Sequence, residues 1–325
     1  MKDKVLILLK KQDAYISGEE MSQKLGVTRA AVWKAIKKLQ GEGYIIESST
    51  KKGYKLVEKP NVITPAELSP MLENDILGKV INYYKVTDST NERAKALARE
   101  GAKEGTLVIA DAQSEGKGRM GRSWNSPEGT GIWMSLILKP EILPQHASQL
   151  TLVAGLCMCE AIMAVTGLEA SIKWPNDIVV NGKKVCGILT EMSAEMERIN
   201  YIVLGIGINV NHREFPKELP FATSLALEGG HDYTRAAFIK AFLERFEKKY
   251  MHYKLNPNLE SVLSLYEKHC ITLGKTVKIT SGNEAFIAQA KGITVDGNLI
   301  VETEMGEEKL VYSGEVSVRG LYGYI

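Results

Sequence analysis

Glu58-Lys59-Pro60-Asn61-Val62-Ile63-Thr64-Pro65 is the stretch that most constrains how this chain of 325 residues can fold. It carries two prolines and no hydrophobic period, and proline is a poor continuation of either a helix or a central strand. Charge changes across it as well. Residues 1–60 hold 13 Lys+Arg against 7 Asp+Glu, whereas the remainder holds 28 against 32. A small basic module joined to a larger, mildly acidic body is expected, with only the first meeting a polyanion. Thr64-Pro65-Ala66-Glu67 reads as the start of the next helix, with Pro65 at its first position.

The basic module, residues 1–62, reads as a winged helix-turn-helix. Lys4 to Lys10 forms a short helix with Val5, Leu6, Leu8 and Leu9 inward. Ser17 caps a second helix carrying Met21 and Leu25, Gly26-Val27 makes the turn, and Thr28 caps a third helix. Ala31, Val32, Ala35, Ile36 and Leu39 fall on one face of that third helix. Its other face shows Arg29, Lys34, Lys37 and Lys38, and a hairpin wing (strands Tyr44–Glu47 and Gly53–Val57) adds Lys51 and Lys52. A recognition helix lays its exposed face in the major groove while basic residues fix register on phosphates, so Thr28 with these six cations is the expected DNA surface. A solvated charged helix would show the same pattern; its coincidence with the recognition helix favours DNA.

Beyond the linker, strand-like runs (83–86, 106–110, 132–138, 171–174, 177–180, 185–191, 201–209) alternate with helical ones at 90–100, 146–166 and 234–255. Asn181-Gly182 is a hairpin signal, and hairpins argue for a mixed, mostly antiparallel sheet, hence α+β. From 271 to 325 short strands and the turns Ser281-Gly282-Asn283 and Asp296-Gly297-Asn298 suggest a small all-β module. Cys157, Cys159, Cys186 and Cys270 make no C-x-x-C pair, and three of them read as small buried hydrophobes. The run Leu150 to Val165, broken by Thr151 and Glu160, is expected to fall short of a membrane span, and no signal-peptide core opens the chain, so a cytoplasmic protein without membrane contact is expected.

The chemistry concentrates in two stretches. Lys173-Trp174-Pro175-Asn176-Asp177 sets a lysine near the end of one strand, just before another. Upstream, Gly116-Lys117-Gly118-Arg119-Met120-Gly121-Arg122-Ser123-Trp124 is a cationic loop jointed by glycines. Taken singly they are a buried lysine paired with Asp177 and a solvated loop. Together they supply one fixed and one mobile cation, the combination needed where charge builds on a phosphate. The loop lacks G-x-x-x-x-G-K-[ST] and is not a Walker-type phosphate loop; a lid that orders over an anion is the better reading. Ser89-Thr90-Asn91-Glu92 fits a capping box. Gly205 and Gly207 allow either close backbone approach to a ligand or a tight sheet crossing, and Trp124 either stacks on a base or fills core.

These stretches, with Asp88-Ser89-Thr90-Asn91 ahead of them and Gly205-Ile206-Gly207-Ile208-Asn209 behind, resemble the biotin protein ligases. With the basic N-terminal module, the resemblance is to the bifunctional type, ligase and biotin-operon repressor in one chain, and it covers essentially the whole sequence. It implies a catalytic domain over 66–270, similar to the class II aminoacyl-tRNA synthetase core, and an SH3-like barrel over 271–325. It implies synthesis of biotinyl-5′-adenylate from biotin and ATP, then transfer of biotin to a lysine of a biotin carboxyl carrier protein. Lys173 and Arg119 become the catalytic cations. Ser89, Thr90, Asn91, Gln113, Lys117, Gly118, Arg119 and Lys173 are the expected biotin contacts. Arg119, Arg122, Trp124, Lys173, Asn176, Asn209 and Arg319 are the expected nucleotide contacts. ATP with Mg²⁺ and biotin as substrate are implied, with no tightly held protein-ligated metal. Operator DNA is the implied second partner, bound by a homodimer formed when the adenylate is present. Lys117 and Met120 stand where the family usually has arginine, which leaves Arg119 and Arg122 to carry the loop's chemistry. A biotin sensor without catalysis would need no phosphate clamp, and a lipoate-type ligase would not show both motifs in full.

Overall fold

The computed structural model describes residues 1–12, 14–281, 284–314, 316–320 and 324. The chain divides into two compact units, Met1–Met71 and Leu72–Ile325. In the first, α1 (Lys2–Lys10), α2 (Gly18–Leu25) and α3 (Arg29–Gly41) are followed by the hairpin of β1 (Ile45–Ser49) and β2 (Gly53–Glu58), then by the single turn α4 (Pro65–Leu68). The caps are those the sequence calls for: Ser17 Oγ accepts from the Glu20 N–H at 3.0 Å and Thr28 Oγ1 from Ala31 at 3.2 Å. Val5, Leu9, Met21, Val32, Ile36 and Leu39 close the core. The proline stretch is packed rather than free. Ala66 joins the same core, and Glu67 takes both the Lys10 ammonium at 2.6 Å and the Tyr44 hydroxyl at 2.8 Å.

The second unit begins with β3 (Ile81–Thr87), α5 (Thr90–Arg99), β4 (Leu107–Gln113) and β5 (Gly131–Leu138). The helix α6 (Gln149–Thr166) precedes β6 (Ala170–Lys173), β7 (Asp177–Val180), β8 (Lys183–Ala194) and β9 (Ile199–Asn209). These strands form one sheet in the order β3-β4-β5-β9-β8-β7-β6, parallel only between β3 and β4. The expected Asn-Gly hairpin is present, with positive φ at Asn181 (49°) and Gly182 (73°) between β7 and β8. After α7 (Leu225–Gly229), the long α8 (Arg235–Leu255) packs on α6, and α9 (Glu260–His269), also against α6, leads to the tail. Pro144–Thr166, with a mean hydropathy of 1.6, is long and apolar enough to cross a membrane, contrary to the expectation drawn from Thr151 and Glu160. Here it is core: 67% of its apolar window is buried inside the protein. All four cysteines are buried and free.

The tail forms β10 (Thr276–Ser281), β11 (Glu284–Ile293), β12 (Leu299–Thr303), β13 (Glu308–Val311) and β14 (Val316–Gly320), antiparallel in the order β13-β12-β11-β10-β14. Gly282 and Asn283 of the first expected turn, and Glu315, lie outside the described residues. The second turn is in place, with Gly297 at φ 86°. Its carbonyl accepts from the Trp174 indole at 3.1 Å, which seats the tail module on the lysine-bearing turn.

Candidate active site

Where β3 gives way to α5, the chain lays Ser89, Thr90 and Asn91 at the floor of a cavity, all three buried. Gln113 at the end of β4 accepts from the Thr90 amide at 2.8 Å and hydroxyl at 3.1 Å, and its own amide donates to Ser126 Oγ at 2.8 Å. Ser135 on β5 lies 2.8 Å from Thr90 Oγ1 and 2.6 Å from Asn91 Oδ1, while Asn91 Nδ2 donates to Glu191 at 2.7 Å. No hydrogen bond to the Ser89 hydroxyl is found among the described residues, and it lines the cavity. The floor is a neutral array of donors and acceptors held from behind, suited to an uncharged polar ring. The capping box does not form. Asp88 accepts from the Ser89 N–H at 2.7 Å instead, and Glu92 pairs with Lys95 at 2.9 Å and Lys117 at 2.6 Å. Two ammonium groups within reach outbid one backbone N–H for that carboxylate. Lys117 therefore sits at the cavity rim with its charge already matched.

The glycine-jointed loop is a short hairpin, closed by Gly118 N–H to Arg122 O at 2.7 Å and Trp124 N–H to Gly116 O at 2.8 Å. Met120, at φ 57° and exposed, takes the tip. Trp124 ends the loop, and its ring lies over two strands. A Cβ on Gly207 would come within 2.7 Å of the indole, and one on Gly187 within 2.8 Å. A Cβ on Gly205 would lie 2.1 Å from Asn91 Oδ1. The glycines thus make room for two side chains that build the site, rather than simply for ligand or a sheet crossing. The Trp124 N–H is buried with no partner among the described residues.

A second cavity adjoins the first, sharing Gly118, Arg119, Trp124, Asn176 and Lys184 with it. Lys173, Arg122, Asn209 and Arg319 line it. Lys173 ends β6 and is 6% exposed; burial above all pushes its pKa down to about 8. Asp177 faces it in register across the β6–β7 turn, yet the two form no ion pair. Asp177 instead takes the Lys184 ammonium at 2.6 Å and the Tyr324 hydroxyl, and these cations and donors hold its carboxyl below the usual range despite burial. Asn176 accepts from Arg119 Nη1 at 2.7 Å and donates to Ile188 O at 3.0 Å. The other Arg119 nitrogen donates to the carbonyls of Ser313 (2.9 Å), Gly314 (2.5 Å) and Val316 (3.2 Å). Arg119 is therefore a clasp between the loop, the Lys173 turn and the tail module. Asn209 is held by Thr223 O at 3.1 Å, while Arg122 and Arg319 are exposed cations facing the cavity.

Residues 83–209 match the biotin/lipoate A/B protein ligase family, 2–55 a helix-turn-helix domain and 272–319 the biotin protein ligase C-terminal domain. The chain is 42% identical to the bifunctional ligase/repressor BirA of Bacillus spizizenii across 98% of both chains. It is 31% identical to that of Escherichia coli, covering 97% of this chain and 96% of the other. The chain belongs to the bifunctional ligase/repressor family. A solved structure, the biotin protein ligase from Aquifex aeolicus in complex with biotin and ATP, is similar at a TM-score of 0.66 and 34% identity, over 74% of this chain and 99% of that one. In one chain this protein is a biotin protein ligase and a helix-turn-helix repressor.

Two residues that line these cavities escaped sequence reasoning. Lys184 lies on β8 just after the Asn181-Gly182 turn, opposite a register shift between Ile178 and Val179, and its Nζ is 5.0 Å from the centroid of the Trp124 ring. Tyr324 arrives from the far end of the chain. In the repressor module Arg29, Lys34, Lys37 and Lys38 are exposed along α3, Thr28 caps it, and Lys51 and Lys52 stand at the wing turn. The added finding there is Trp33, half exposed beside them with the Lys37 ammonium 6.0 Å from its ring.

Proposed function

We propose that the first cavity holds the ureido ring of biotin on its neutral floor of Ser89, Thr90, Asn91 and Gln113, and that the second, cationic cavity holds ATP. The observation that carries this is the junction of the two: a pocket with a neutral polar floor opens beside Lys173, Arg122 and Arg319 at a shared wall. A biotin carboxylate lying across that junction meets the α-phosphate. Its oxygen attacks phosphorus, the bond to the bridging β-oxygen breaks, and pyrophosphate leaves; the Lys173 ammonium stabilises the charge spread over the phosphoryl oxygens. A lysine amine of a biotin carboxyl carrier protein, as in acetyl-CoA carboxylase, then attacks the mixed anhydride carbonyl. The amide forms, AMP departs and the amine proton passes to solvent. Mg²⁺ enters this proposal with ATP, as part of the nucleotide substrate.

The division into a DNA-binding part over 1–62, a catalytic part over 66–270 and a tail over 271–325 remains our reading of these roles. Biotinyl-adenylate acts as co-repressor by favouring a homodimer whose two recognition helices meet a two-fold operator. A cytoplasmic protein without membrane contact fits that role. Incubation with ATP, labelled biotin and a carrier domain tests the ligase reading: label on the carrier lysine with AMP released supports it, and label without AMP sinks it. Sedimentation and operator binding with and without ATP plus biotin test the switch, which fails if neither responds.

A further inference from the structure

Lys173 is held in an unusual way for a buried cation. Its Nζ lies 3.4 Å from the centroid of the Tyr324 ring. No hydrogen bond or ion pair to that ammonium is found among the described residues. The carboxylate best placed to neutralise it, Asp177, is engaged twice elsewhere, by Lys184 at 2.6 Å and by the Tyr324 hydroxyl. The phenol ring is itself braced, stacked on Phe221 at 5.7 Å between centroids. Thus one side chain covers the ammonium with its face and draws the competing carboxylate away with its hydroxyl.

We propose that Tyr324 is a positioning residue for the adenylation step, fixing the Lys173 ammonium by its ring while keeping Asp177 on Lys184. A carboxylate partner would hold the lysine equally well but would cancel the charge the phosphate needs. An aromatic face holds a cation and leaves its charge available. The hydroxyl stays a neutral donor, because burial and Asp177 both push its pKa up. The charged groups facing Lys173 are Asp177 on β7, Lys184 on β8, Arg319 on β14 and Arg122 in the loop. Three of the four are cations, so hydration at this ammonium is the variable that the ring controls.

The inference rests on the ligase reading, and one experiment separates the two. Biotin-dependent ATP–pyrophosphate exchange is measured across a pH series for the full-length parent, Tyr324→Ala and Tyr324→Phe, with biotin affinity titrated in parallel. Tyr324→Ala is expected to lower the exchange rate about ten- to thirtyfold, the scale of one desolvated cation–π contact, with biotin affinity retained. Water admitted to the ammonium should also move its high-pH limb upward from about 8. Tyr324→Phe, which keeps the ring while Lys184 still holds Asp177 at 2.6 Å, should restore most of the rate. No exchange in the parent would overturn the ligase reading itself. Exchange in the parent that rises in Tyr324→Ala would make the ring an inhibitory plug, and a slower variant with an unmoved limb, or failure of phenylalanine to rescue, would make its role merely structural. Each of these three results overturns the proposal.

Discussion

Replacing Lys173 by methionine should make this protein more stable and leave it unable to form the adenylate. Burial lowers the lysine from its ordinary pKa of 10.5 to about 8. At about 1.36 kcal/mol per pH unit, the folded state disfavours the ammonium by about 3 kcal/mol at neutral pH. Lys173→Met, similar in length and without charge, is therefore expected to gain up to about 3 kcal/mol at pH 7. The sign follows from proton counting. Between about 8 and 10.5 the unfolded parent holds a proton that the folded parent has lost, so the parent gains stability as pH rises through that window. The methionine advantage should be full below about 8, shrink above it and be gone beyond 10.5. Urea unfolding followed by tryptophan fluorescence reads mainly the relevant unit, since three of the four tryptophans, Trp124, Trp133 and Trp174, lie in Leu72–Ile325 and only Trp33 lies outside it. A variant less stable than the parent at pH 7, or an advantage that does not change with pH, would refute the reasoning.

Arg119→Gly should leave the protein folded but release biotinyl-adenylate roughly tenfold faster or more, because one side chain clasps Asn176 and three tail carbonyls; biotin appearing on non-acceptor lysines measures it, and parental retention contradicts it. Gly207→Ala should displace the Trp124 ring, at a cost of about 1–3 kcal/mol in ligand affinity or stability, read by biotin titration and thermal unfolding together. Lys37→Ala on α3 should weaken operator binding and reduce the salt slope by about 1 while ligase turnover stays at the parental level; an unchanged slope would remove this lysine from the DNA surface.

Local signals were legible in the sequence wherever one segment decides its own structure. Ser17 and Thr28 announce helix starts because a short hydroxyl side chain satisfies an N–H three residues on, and both do so here. The Asn181-Gly182 turn follows from backbone conformations that these residues tolerate. The lysine-bearing turn, the cationic loop and the Ser89-Thr90-Asn91 start were readable as stretches, and the fold brings them around two adjoining cavities. What stayed hidden was tertiary competition. Glu92 has the spacing of a capping box, yet Lys95 and Lys117 claim its carboxylate. Gly205 and Gly207 signal a close approach without naming what approaches, and the answers, Asn91 and Trp124, lie in distant segments. Tyr324 meets Asp177 across 147 residues, a pairing that no local pattern encodes. The short helix α7 and the helix α9 were also missed, since neither carries a long apolar stripe.

In the proposed mechanism the chemistry turns on Lys173, and biotin-dependent ATP–pyrophosphate exchange by the parent and Lys173→Met, with biotin affinity titrated on the same samples, examines it alone. Exchange in the parent that declines as pH rises through about 8 and falls at least about a hundredfold in Lys173→Met, with biotin affinity kept within a few-fold, is the expected result. Undiminished exchange in Lys173→Met would mean that the phosphate is stabilised elsewhere and that this lysine is only a buried part of the fold.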